Sequence, residues 1–230
     1  GSSNANGTVS LTALSTTAIS GRTLTVKSGA VSVRKNPSLA NYTSSRPLGV
    51  LGSANVRAGS FIITGGAEAS TISQIVLKDD VDTTSDGVTL KDYFDNLSIK
   101  HGDTMLHSSP LSLTDTDSTT YTFNLSPNVT LGVGETYVVD VYVDILSTAG
   151  VATSNLNDDD TDGAIQVDSV VATGVETSTT TSDTSTDPRL QRLNIATNGS
   201  LRVTIDGDTP QDDQLVLGST DQTFAKFKLA

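Results

Sequence analysis

The chain contains no cysteine and no tryptophan, one methionine, and only five tyrosines and five phenylalanines in 230 residues. Without cysteine there can be no disulfide scaffold, no thiolate metal site and no thiol nucleophile. With so few aromatics, a platform for stacking sugar rings is poorly supplied, which weighs against a glycoside-hydrolase cleft. Glutamate is nearly missing too: three Glu (Glu68, Glu135, Glu176) stand against 23 Asp, although Glu is much the better helix former. Basic residues are outnumbered, 14 Lys and Arg against 26 acidic residues, for a net charge of −12. Phosphate backbones are bound by clustered Lys and Arg, so nucleic acid is not expected as a partner. No run approaches the ~20 apolar residues of a membrane-crossing helix, so direct membrane insertion is not expected. The N-terminus shows no basic-then-apolar leader, which places any export signal or anchor outside this stretch. Hydrophobic residues make up 35%, so the core must be thin.

Small hydroxyl residues fill the space: 29 Ser and 35 Thr compete with helical backbone bonding throughout. The dominant pattern is period two. In Tyr137-Val138-Val139-Asp140-Val141-Tyr142-Val143-Asp144-Ile145 the odd positions are apolar, and Asp140 and Asp144 take the solvent side. Similar runs at 23–33, 60–64, 73–78, 96–100, 119–123 and 165–171 are separated by Gly, Pro, Asn, Asp and Ser clusters. Seven or more such strands predict an all-β antiparallel sandwich. Its expected core includes Phe61, Ile63, Ile75, Leu77, Phe123, Val139, Val141 and Val143. A helical turn or two is expected at 89–94, where Leu90, Tyr93 and Phe94 fall at helical spacing.

An internal repeat organises the chain. Val50-Leu51-Gly52-Ser53 and the ten residues after it align without a gap on Val216-Leu217-Gly218-Ser219 and its continuation, an offset of 166 residues. Phe61 and Ile63 fall on Phe227 and Leu229, so the inward-facing register is kept. Upstream, Thr23-Leu24-Thr25-Val26 resembles Ser200-Leu201-Arg202-Val203. The reading is one complete sandwich repeat at 8–176, a Ser/Thr-rich linker or loop at 177–192, and the opening strands of a second, incomplete repeat at 193–230. The stretch 177–186 carries no apolar residue.

The matched block, with its small-residue turn and Phe-x-Ile/Leu strand, resembles the tandem immunoglobulin-like β-sandwich repeats of large bacterial cell-surface and surface-layer-like proteins. Asn124-Leu125-Ser126-Pro127 before an alternating strand is similar to the same repeats. The resemblance implies an immunoglobulin-like sandwich, an extracellular, cell-surface location and no catalytic residues.

The sharpest site candidate is Asn157-Asp158-Asp159-Asp160-Thr161-Asp162-Gly163. Asp158, Asp160 and Asp162 have the spacing that can aim carboxylates at one calcium ion, with Asp168 as a further metal ligand. The bidentate Glu of the helical calcium loop is missing, since Ser169 stands there, and an acidic solvated turn is the alternative. Weaker clusters are Asp79, Asp80, Asp82 and Asp86, and Asp206, Asp208, Asp212 and Asp213. His101 and His107 are the only histidines, and no Ser stands in a nucleophile elbow. Six Asn-x-Ser/Thr sequons arise largely from the Ser and Thr content. The function expected is therefore non-enzymatic. It is a structural building block of an extracellular surface layer, sheath, stalk or filament, with other copies of itself or adjacent repeats of the same chain as partners. The alternative is an adhesin or carbohydrate-binding sandwich with a glycan or cell-wall ligand, calcium-dependent or not.

Overall fold

The computed structural model describes residues 31–43, 45–81, 89–116, 119–148, 164–183, 188–197, 203–209, 217–218, 220–221, 223 and 225–229. In chain order the strands are β1 (Ser32–Lys35), β2 (Gly49–Val50), β3 (Val56–Thr64), β4 (Ser70–Asp79), β5 (Phe94–His101), β6 (Thr104–Met105), β7 (Leu111–Ser112) and β8 (Thr120–Leu131). They continue as β9 (Thr136–Ile145), β10 (Ile165–Gly174), β11 (Thr180–Asp183), β12 (Ile195–Ala196), β13 (Val203–Ile205) and β14 (Phe227–Leu229). Among the described residues there is no α-helix. The expected helical turn is a 3-10 turn at Leu90–Asp92, whose Asp92 carboxylate accepts from the Thr89 amide at 2.7 Å.

Two antiparallel sheets form the sandwich. One runs β1-β3-β9-β5-β6, with β7 also on β5; the other runs β11-β10-β4-β8. Alternation explains the layering: in β9, Val139, Val141, Val143 and Ile145 point inward, and in β10, Ile165, Val167, Val170 and Ala172 do. All eight residues expected in the core are buried, Phe61, Ile63, Ile75 and Leu77 without measurable exposure. Each such side chain contributes roughly 1.5–3 kcal/mol of apolar burial.

Three expectations need correction. Within the stretch 177–192, expected as linker or loop, Thr180–Asp183 is a strand paired with β10, and the Thr173 and Thr180 hydroxyls meet across the ladder at 3.0 Å; residues 184–187 lie outside the described residues. This strand is at the sheet edge, so it needs no apolar face, and β-branched Thr suits its backbone. Nor does the sandwich end at 176, because Leu190, Leu193 and Ile195 lie in the same core and β12 pairs in parallel with β2. Gln191, fully buried, ties this segment to β3 and to the turn after β1. Its Oε1 accepts from the Ser60 amide at 2.8 Å, and its Nε2 donates to the Asn36 carbonyl at 3.0 Å and the Ser60 carbonyl at 3.3 Å. At Gly59 an added Cβ would sit 2.7 Å from Leu190 Cδ1, so only glycine lets the segment close over β3. Asp140, third, is not on an open solvent face; it is only 8% exposed.

Candidate interaction surface

β13 and β14 form a two-stranded sheet in which Val203 faces Leu229, Thr204 faces Lys228 and Ile205 faces Phe227. This register repeats that of β1 on β3, where Val33 faces Ile63, Arg34 faces Ile62 and Lys35 faces Phe61. The turns correspond as well. Gly52 and Gly218 have φ of 79° and 88°, and Asn55 and Asp221 have φ of 54° and 59°. Both pairs are separated by the 166-residue offset of the sequence match. Glycine and Asn or Asp are the residues that hold a left-handed backbone at least cost.

Beyond the strand ends, Asn36 N donates to Ser60 O at 3.0 Å, and Asp206 N donates to Lys226 O at 2.9 Å. Each is followed by an Asx turn, in which Ser38 N meets Asn36 Oδ1 at 3.0 Å and Asp208 N meets Asp206 Oδ1 at 2.9 Å. On this geometry the partner of Val203 is Val33. Residues 23–26, matched to 200–203 by sequence, lie outside the described residues.

The two strand pairs differ in what covers them. Val33, Phe61 and Ile63 are buried, whereas Val203, Ile205, Phe227 and Leu229 are 55%, 71%, 64% and 66% exposed. Those four side chains share one face of the hairpin, because Val203 opposes Leu229 and Ile205 opposes Phe227. Lys228 takes the opposite face. Antiparallel pairing alternates, so the bond from Asp206 N to Lys226 O leaves the N–H and C=O of Phe227 and Leu229 turned away from β13. In β3 the same groups of Phe61 and Ile63 turn toward β9, which pairs with them through Val139 and Tyr137. Among the described residues β14 has no strand on that edge.

The acidic candidates behave differently. Asp158, Asp160 and Asp162 lie outside the described residues. Asp168 is on β10, as the extra residue of a bulge between Val167 and Ser169. Among the described residues no three His, Asp or Glu are grouped so as to hold a metal. Asp79 is a buried structural tie, accepting from Leu90 N at 2.8 Å and Val81 N at 3.2 Å. Asp80 lies 2.5 Å from Arg189 Nε, an ion pair rather than an aligned hydrogen bond, and this also holds the 188–196 segment in place. Asp206 makes the Asx turn already described; Asp82, Asp86, Asp212 and Asp213 lie outside the described residues.

Both ring nitrogens of His107 are engaged. Nε2 accepts from Ile99 N at 3.0 Å and Nδ1 meets Ser109 O at 2.6 Å, so Nδ1 carries the proton. Burial pushes the His107 pKa below the ordinary histidine value. His101 stacks on Tyr137 with ring centroids 4.0 Å apart. Glu68 accepts from the Thr177 hydroxyl at 2.7 Å and from the Thr177 and Glu176 amides at 3.0 Å; these bonds hold its carboxyl below the usual range.

Sequence pattern missed the outer face of the first sheet. Arg57 approaches Asp140 at 3.7 Å, and Lys100 Nζ sits 4.3 Å from the Tyr142 ring centroid. Burial, followed by the Asp140 charge, raises the Tyr142 pKa. Among the described residues Asp140 Oδ1 has no hydrogen-bond partner. The alternation placed these residues on a polar face; their mutual contacts depend on strand register, which one strand's pattern does not contain.

No protein-family model matches this chain, and no curated protein or solved structure matches it.

Proposed function

We propose that the chain is a structural building block of an extracellular, cell-surface assembly built from repeated β-sandwich units, with no catalysis. The observation that carries this reading is the correspondence between residues 33–63 and 203–229 in register, turn geometry and Asx turns, joined to an apolar hairpin face that is exposed in one of the two places. A strand pair that is core in one unit and surface in the next is suited to receive a neighbouring element, since repeat units bury their faces against one another. The acidic coat keeps such units soluble and apart except where edges meet. In this reading the partners are other copies of the chain or adjacent repeats of it.

Sedimentation and electron microscopy over a concentration range test the proposal. The chain should associate with rising concentration, and Phe227→Asp with Leu229→Asp should abolish association while leaving the main unfolding transition in place. A chain that is monomeric at every concentration would overturn it.

A second reading, an adhesin or carbohydrate-binding module, draws on the outer sheet face, where Arg57, Lys100 and Tyr142 surround Asp140. Binding to a glycan array that is lost in Tyr142→Ala would favour it over the structural reading.

A further inference from the structure

We infer that the edge of β14 that carries no strand among the described residues is an acceptor site for one kind of partner: an antiparallel extended segment with the alternating pattern of β9, apolar toward the hairpin's apolar face and acidic opposite Lys226. The inference rests on the structural reading above and specifies its contact.

The first unit supplies the template. There, β9 runs antiparallel to β3 with Tyr137 opposite Ile63, Val139 opposite Phe61, Asp140 opposite Ser60 and Val141 opposite Gly59. Carried across by the 166-residue offset, the same strand would set Tyr137-type, Val139-type and Val141-type residues opposite Leu229, Phe227 and Ala225. The N–H and C=O groups of Phe227 and Leu229 already point to that edge, as those of Phe61 and Ile63 do toward β9. Strand addition gives affinity through this main-chain ladder and specificity through alternate side chains.

Charge separates this site from its template. Position 60 is Ser, and the equivalent position 226 is Lys. A β9-type strand brings its Asp140-type residue directly across from that Lys, and opposite charges facing each other across an antiparallel pair stabilise it. In the first unit Asp140 faces Lys100 on its other side, the same pairing of Asp with Lys across a ladder. An acidic-apolar strand therefore fits the β14 edge better than a basic one, and β9 is a strand of that type.

The test uses the whole chain extended after Ala230 by a short Gly/Ser linker and a second copy of residues 136–145, with amide exchange read residue by residue. Exchange at the Phe227 and Leu229 amides should slow by about tenfold or more relative to the unextended chain, as formation of a ladder bond requires. An appended strand carrying Val139→Asn and Val141→Asn keeps its backbone but loses the apolar alternation, and should give little protection. An appended strand carrying Asp140→Lys should protect less than the unaltered one. The inference is overturned if the two amides stay as fast as in the unextended chain, or if the Asn-substituted strand protects them equally. Sedimentation of the unextended chain is the separate check on the assembly reading. Association without protection sinks the β9 register alone; protection in a chain that never associates supports the register while the assembly reading fails.

Discussion

β1 on β3 and β13 on β14 are two strand pairs with matched registers, matched left-handed turn residues and matched Asx turns. One is welded into a core and the other presents its apolar side to solvent. Local sequence is thus sufficient to set the turn and the pairing, while burial is decided by whatever third strand and second sheet arrive. Gln191 shows how the first pair is secured from a distance: it bridges the Ser60 amide and the Asn36 carbonyl just past the end of β1. In the hairpin the equivalent amide, Lys226 N, is met by the Thr209 hydroxyl at 3.2 Å, a local and exposed substitute.

The largest expected difference is between equivalent aromatics. Phe61→Ala should cost about 3–5 kcal/mol in denaturant unfolding, the range for a fully buried ring. Phe227→Ala should shift the same transition by less than about 0.5 kcal/mol. A comparable cost at both positions would mean that the hairpin is packed. Next, Gln191→Ala should cost about 2–3 kcal/mol, because it leaves the Ser60 amide without its partner in a buried place. Thr209→Val, at the corresponding contact, should leave the transition where it is. Third, Gly52→Ala should cost roughly 1–2 kcal/mol for its left-handed backbone alone, since the added Cβ meets nothing closer than 3.8 Å. Gly218→Ala, strained to the same degree, should not register in the main transition.

The smallest effect is in pH, and it belongs to the sandwich. Because burial holds the His107 pKa below its unfolded value, the unfolded chain takes up a proton first as pH falls. Stability is then unchanged well above about pH 6.5 and declines as pH drops from there toward the folded value. Urea midpoints measured from pH 8 to pH 5 should show this slope, and His107→Gln should flatten it. A slope of opposite sign would place a charged imidazole in the fold.

Much of the sandwich was legible in the sequence because its strands alternate: the eight expected core residues all have inward positions in a period-two run. β11 was not legible, since an edge strand of Thr and Ser has no apolar side to betray it. The segment 188–196 was missed because Leu190, Leu193 and Ile195 are spaced irregularly around a buried glutamine, and only the main-chain groups of Ser60 and Asn36 past the end of β1 explain why a glutamine belongs there. For the interaction surface, the repeat of Phe-x-Ile as Phe-x-Leu already placed Phe227 and Leu229 on one face. The free edge beside them was not readable in the letters, because pairing partners come from distant residues. The acidic run with Asp158, Asp160 and Asp162 lies outside the described residues, and Asp168 belongs to the β10 bulge.

Amide hydrogen exchange at four residues of the unmodified chain tests the central claim most directly. The Phe61 and Ile63 amides, bonded toward β9 in the middle of a sheet, should exchange only with unfolding of the sandwich. The Phe227 and Leu229 amides, at the matching register positions of β14, should exchange at nearly the rate of an unfolded peptide at dilute concentration. Protection of all four to the same degree would contradict the account, because it would mean that β14 already has a strand on its open edge.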